Sequence, residues 1–211
     1  MPQSASAIPA RFLALGDSYT IGEGVAAGLR WPDQLVARLR EAGIDIEAAE
    51  IIATTGWTTD ELLEGIAAAR PAPPYALVSL LIGVNNQYRG RSADEYGEEF
   101  AALLDRAVGF AGGEARRVLV LSIPDWSVTP FAAERGTDPI AVAAAIDRFN
   151  AINRERAENR GAHWIDVTDL SRDGGRTLLV EDGLHPSANQ YALWVDRVFP
   201  VASAILGARD A

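Results

Sequence analysis

Short apolar runs alternate along the chain with stretches whose apolar residues recur at helical spacing. Arg11 to Gly16 is the first run, nearly continuous in hydrophobicity, as expected of a strand buried on both faces. Tyr75 to Ile82, the most apolar run in the chain, reads as another interior strand and Arg117 to Ile123 as a fourth, with a second strand around Ile46 to Ala53 and a short fifth at Ala162 to Val167. Between them, Trp31 to Ala42 carries Leu35, Val36 and Leu39 at helical spacing and is stopped by Gly43. Thr58-Thr-Asp-Glu61 and Ser92-Ala-Asp-Glu95 have capping-box spacing. The first opens a helix with Leu62, Leu63 and Ile66, broken by Pro71, Pro73 and Pro74; the second opens one with Tyr96, Phe100, Leu103 and Leu104 inside. Asp138-Pro139 starts a helix with Ile146, Phe149 and Ile152 that ends at Gly161. Ser187-Ala-Asn-Gln190 caps a last helix with Leu193, Trp194 and Val198 on its interior face. This alternation predicts an α/β fold with a parallel sheet of about five strands covered on both faces. No repeat, low-complexity tract or linker interrupts it, so residues 1–211 are expected to form one domain with its core over about 11–207.

Composition narrows the function. A content of 48% hydrophobic and 23% charged residues suits a globular core. The net charge of −10 opposes binding to nucleic acid or to anionic membrane surfaces. With no cysteine, thiolate nucleophiles, disulfides and cysteine-ligated zinc are excluded. Met1 to Ala10 has neither a cationic nor an apolar leader segment, and no stretch has the ~18 uninterrupted apolar residues of a membrane span. A soluble, cytoplasmic protein is expected.

Chemistry-bearing residues gather where the predicted strands end, the edge at which open α/β sheets bind ligands. Ser18 follows the first strand directly, in a tight turn that can lift its hydroxyl above the sheet and aim its own N–H at a developing oxyanion. A serine needs a base near pH 7, and the chain has two histidines. His163 lies inside a predicted strand beside Trp164, a core or sheet-face position. His185 lies in a loop, and Asp182, three residues before it, can hold its tautomer. Gly22, Gly24 and Gly28 do not have dinucleotide-loop spacing.

In several blocks from residue 12 to about residue 195 the sequence resembles the SGNH or GDSL hydrolases. Gly16-Asp17-Ser18 matches the nucleophile block, with Tyr19 where leucine is usual. Gly56 matches the second-block glycine, Gly83-Val84-Asn85 the third block, and Asp182-Gly-Leu-His-Pro186 the last. The third block often continues with aspartate, whereas Asn86 stands here. The resemblance implies a flavodoxin-like three-layer α/β/α sandwich, a Ser18–His185–Asp182 triad, and an oxyanion hole made by the N–H groups of Ser18 and Gly56 with the Asn85 amide. The activity to expect is hydrolysis of a small-molecule ester through an acyl-serine, with neither cofactor nor metal. The acidic surface favours short-chain acyl esters or acetylated carbohydrate over anionic lipid. Tyr19, Trp57, Tyr88 and Trp126, in or beside the strand-end loops, are candidates for the pocket wall. Arg89 and Arg91 read as solvated charges, and Asp125 as an acid at another strand end. The competing expectation is a noncatalytic module that holds a sugar or nucleotide in the same cleft.

Overall fold

A computed structural model of the chain describes residues 9–208. The sequence reading of a missing export leader rests mainly on residues outside that range. All five residues of β1 (Phe12–Gly16) are buried, which accounts for its lack of alternation. It runs into the one-turn α1 (Ser18–Ile21), after which come α2 (Trp31–Glu41), β2 (Glu50–Ala53) and α3 (Thr59–Ala69). The chain continues through β3 (Leu77–Leu81), α4 (Val84–Tyr88), α5 (Ala93–Phe110), β4 (Val118–Leu121), α6 (Pro130–Glu134) and α7 (Pro139–Arg160). It closes with β5 (His163–Ile165), α8 (Thr168–Asp173) and α9 (Ala188–Gly207).

The five strands form one sheet in the order β2-β1-β3-β4-β5, every neighbouring pair parallel. This is the flavodoxin-like order. One helical layer is built on the α2–α9 contact; the other joins α3, α5 and α7. The caps act as their residue types require. Ser92 Oγ accepts the Glu95 N–H at 3.1 Å, Asp138 Oδ1 accepts those of Ile140 and Ala141, and the Glu61 carboxylate accepts the Thr58 N–H at 2.9 Å. No helix among the described residues is long and apolar enough to cross a membrane.

Three details differ from the sequence pattern. The second strand is shorter than the apolar run, because Ile46 forms only an isolated bridge to Ala10 before the ladder resumes at Glu50. Leu193 is 38% exposed, since the buried stripe of α9 runs through Tyr191, Trp194, Val195, Val198 and Ala202, and Leu193 falls off it. Short helices α4, α6 and α8 occupy segments that carry no helical periodicity, and each forms part of the strand-end surface.

The sheet order reverses at β1: β2 lies on one side and β3 on the other. Ligands of open α/β sheets bind outside the carboxyl ends of the strands at such a point. The segments leaving β1, β2 and β3 there carry Ser18, Gly56 and Asn85.

Candidate active site

β1 delivers Ser18 through a turn with no spare room. A Cβ on Gly16 would lie 2.2 Å from Thr20 Oγ1 and 2.5 Å from the Leu81 carbonyl oxygen, so only glycine lets α1 fold back on the strand. Asp17 caps α1, its Oδ1 accepting the Tyr19 N–H at 3.0 Å. Ser18 is therefore the first residue of a helix, where N–H groups have no intrahelical acceptor. Its residue surface is 4% exposed. The second Asp17 oxygen is buried without a partner, and burial pushes this carboxyl up to about 7. Tyr19 packs its buried ring between the imidazole of His185 and the indole of Trp194, and burial raises its hydroxyl pKa.

His185 comes from a loop pinned across its base. Leu179 bridges Pro186, the Val180 N–H donates to the His185 carbonyl at 2.9 Å, and the Ser187 N–H donates to the Leu178 carbonyl at 2.8 Å. Inside the loop, Asp182 Oδ1 accepts the N–H groups of Leu184 at 2.8 Å and His185 at 3.0 Å. Its Oδ2 lies 2.6 Å from His185 Nδ1. A carboxylate there places the imidazole proton on Nδ1 and leaves Nε2 as a base. Partial burial opposes the Asp182 charge, but the bonds from the imidazole and the two N–H groups hold its carboxyl below the usual range.

The third component is a clamp between α4 and the segment after β2. Gly56 adopts φ +89°, a left-handed backbone that favours glycine. Asn85 Nδ2 donates to the Trp57 carbonyl at 2.9 Å. One amide hydrogen is thereby used and one remains. Asn86, fully buried, holds the start of α3: its Oδ1 accepts the Thr59 N–H at 3.1 Å and its Nδ2 donates to Thr59 Oγ1 at 2.6 Å. The same Nδ2 lies 3.4 Å from a Glu99 oxygen, where an aspartate would set carboxylate against carboxylate.

These pieces meet at one cavity of about 170 Å³, lined by Ser18, Tyr19, Gly56, Asn85, Tyr88, Trp126 and His185, with Asp182 behind the histidine. Thr55, Val84, Phe131 and Leu184 complete the lining. Tyr88, Trp126 and Phe131 form an aromatic wall with centroid separations of 5.4 to 6.4 Å. Two bonds fix it: Trp126 Nε1 donates to Gln87 Oε1 at 2.8 Å, and the Phe131 N–H donates to the carbonyl of Gly183, inside the histidine loop, at 3.2 Å. Phe131 has no sequence signal, because α6 is too short to show a period. Trp57 lies outside this lining. Its ring covers Gly65 of α3, where a Cβ would come within 2.1 Å of Cη2, and its contribution near the cavity is the carbonyl that Asn85 holds.

The surrounding charges are engaged. Asp125, 1% exposed, accepts from Arg172 Nε at 2.8 Å and from the Ser127 N–H at 2.9 Å, which fixes the loop bearing Trp126. Arg91 forks onto Asp60, and Arg89 reaches the Gly56 carbonyl and Glu61, so neither is a free solvated charge. Among the described residues no group of three or more His, Asp or Glu gathers as a metal site. A larger cavity of about 640 Å³ between Arg116, Arg117, His163 and the end of α9 lies at the amino edge of the sheet and shares no residue with this site.

Comparison with known proteins agrees with this architecture. TesA superposes with a TM-score of 0.73 at 22% identity, covering 93% of this chain and 99% of that one. The psychrotrophic esterase EstA from Pseudoalteromonas sp. gives 0.72 at 18% identity, with coverages of 93% and 98%. A mutant of Axe2, an acetyl-xylooligosaccharide esterase from Geobacillus, gives 0.67 at 17% identity, with coverages of 95% and 96%. At these identities the likeness shows the fold. No curated protein matches the sequence at a significant level. The sequence itself matches the GDSL-like lipase/acylhydrolase family over residues 14–193, most of its length, and the chain belongs to that family.

Proposed function

We propose that the chain is a serine ester hydrolase that works through an acyl-serine on small soluble esters, carrying either short acyl chains or acetyl groups on carbohydrate. The observation that carries this is the convergence of Ser18 and His185, from opposite ends of the chain, on one cavity, with the imidazole buttressed by Asp182 at 2.6 Å. His185 Nε2 takes the Ser18 hydroxyl proton as Oγ attacks the ester carbonyl. The oxyanion is received by the N–H groups of Ser18 and Gly56 and the remaining Asn85 amide hydrogen. His185 then protonates the departing alcohol, and later removes a proton from the water that releases the acid. Asp182 stays ionised throughout.

Size supports a small substrate. The cavity of about 170 Å³ is below the ~300 Å³ at which drug-sized ligand pockets begin, and its far wall is aromatic and aliphatic. Family membership and the esterase neighbours favour an ester, and the acetyl-xylooligosaccharide activity named for one neighbour makes acetylated sugar a natural second class. The test is a panel of p-nitrophenyl esters of increasing chain length beside acetylated xylo-oligosaccharides, run on the parent and on Ser18→Ala. Turnover should be greatest for the shortest acyl groups and fall about 10³-fold or more in the variant. An unchanged rate in Ser18→Ala removes the serine from the mechanism.

A further inference from the structure

Gly56 presents a physical difficulty for any oxyanion hole. A glycine at φ +89° has the least intrinsic restraint of any residue, so the direction of its N–H must be set by what holds its neighbours. The Trp57 N–H donates to the Thr54 carbonyl at 3.2 Å and closes a turn around Thr55 and Gly56, and two side chains of α4 and its cap anchor that turn to the rest of the site. Asn85 takes the Trp57 carbonyl at 2.9 Å, and Arg89 Nη2 takes the Gly56 carbonyl at 2.7 Å. The Arg89 N–H donates to the Asn85 carbonyl at 3.0 Å, so the two residues sit one turn apart, where side chains share a helix face. A single helical turn thus grips two successive carbonyls of the loop.

Arg89 Nη1 also donates to Glu61 Oε1 at 3.2 Å, while Glu61 Oε2 accepts the Thr58 N–H at 2.9 Å. The guanidinium therefore spans from the loop to the first turn of α3. On the other side of Gly56, the Thr55 hydroxyl contacts the Glu23 carboxylate. We propose that Arg89 is a positioning residue that fixes the Gly56 N–H for the oxyanion, a role that rests on the ester-hydrolase function proposed above. A planar fork reaches both acceptors at once; an ammonium in its place supplies the charge without the fork.

The experiment compares Arg89→Ala and Arg89→Lys with the parent in the full chain, on uncharged p-nitrophenyl acetate. Hydrogen exchange of the segment 54–58 is followed in parallel. Arg89→Ala should lower kcat about tenfold, less than the ~10²-fold or greater loss of an oxyanion donor itself, with KM within about twofold. Exchange at 54–58 should quicken, and Arg89→Lys should fall between the two on both readouts. An unchanged kcat, or a raised KM with exchange unaltered, overturns the proposal; the latter makes Arg89 a substrate contact. Full activity in Arg89→Lys with parental exchange also overturns it, reducing the role to charge. If Ser18→Ala retains the parental rate, the hydrolase function fails separately, and the exchange result still decides whether Arg89 holds the loop.

Discussion

Replacing Asp182 by asparagine probes the base system with almost no change of shape. Asp182 Oδ1 accepts two backbone N–H groups, from Leu184 and His185, at 2.8 and 3.0 Å. An asparagine must keep its carbonyl oxygen there, because the flipped amide would set its NH2 against two donors. Its Nδ2 then faces His185 Nδ1, where the carboxylate oxygen now lies at 2.6 Å. A donor at that position forces Nδ1 to accept and moves the ring proton to Nε2, the nitrogen required as base. The expected loss in kcat is about 10⁴-fold, close to 5 kcal/mol in barrier height, the scale seen when a serine-protease triad is given the wrong tautomer. Stability should hardly change, since the side chain is 42% exposed and its backbone bonds survive. The assay is kcat for p-nitrophenyl acetate beside a thermal melt. A variant that melts like the parent and turns over within about tenfold of it means that the Asp182 carboxylate does not set the tautomer of a catalytic His185.

Two further variants test how the site is held. Asp17→Asn keeps the acceptor for the Tyr19 N–H but removes a carboxyl that burial pushes from 3.8 up to about 7. A folded value raised above the unfolded one means stability present below about pH 4 and lost as pH rises toward 7, on the order of 4 kcal/mol in the limit. Melts from pH 4 to 8 should show the variant gaining on the parent as pH rises, and parallel curves contradict the burial argument. Asn86→Asp should destabilise by roughly 1–3 kcal/mol, since it removes a donor from Thr59 and sets a second carboxylate near Glu99. Denaturant titration at neutral pH reads this, and a variant as stable as the parent shows that the amide donor is dispensable.

The interior strands β1, β3 and β4 are legible because each is an apolar run without alternation, the form a parallel strand buried on both faces takes; the edge strands β2 and β5 are short and only partly buried, and leave a weaker trace. The positions of Ser18, Asn85 and His185 could be read as well: the first two follow the apolar runs of β1 and β3, and His185 lies just ahead of the periodic α9. What stayed hidden lies in short or cooperative geometry. Helix α6, with Phe131, is a single turn. Trp57 sits beside Gly56 in sequence, yet its ring goes to α3 because Gly65 leaves a slot there that no pattern records. Arg89 looks like a surface cation until α4 forms and carries it over the Gly56 carbonyl. Leu193 looks interior until the exact rotation of α9 is known, and one residue of drift is enough to turn it outward.

The proposed function rests on the activation of Ser18 by His185. Incubation of the protein with a fluorophosphonate, followed by peptide mass mapping, measures this without assuming any substrate. Stoichiometric phosphonylation of the peptide containing Ser18, abolished in Ser18→Ala and strongly slowed in His185→Ala, is the predicted result. A parent protein that stays unmodified, or one labelled elsewhere at the same rate with and without His185, contradicts it.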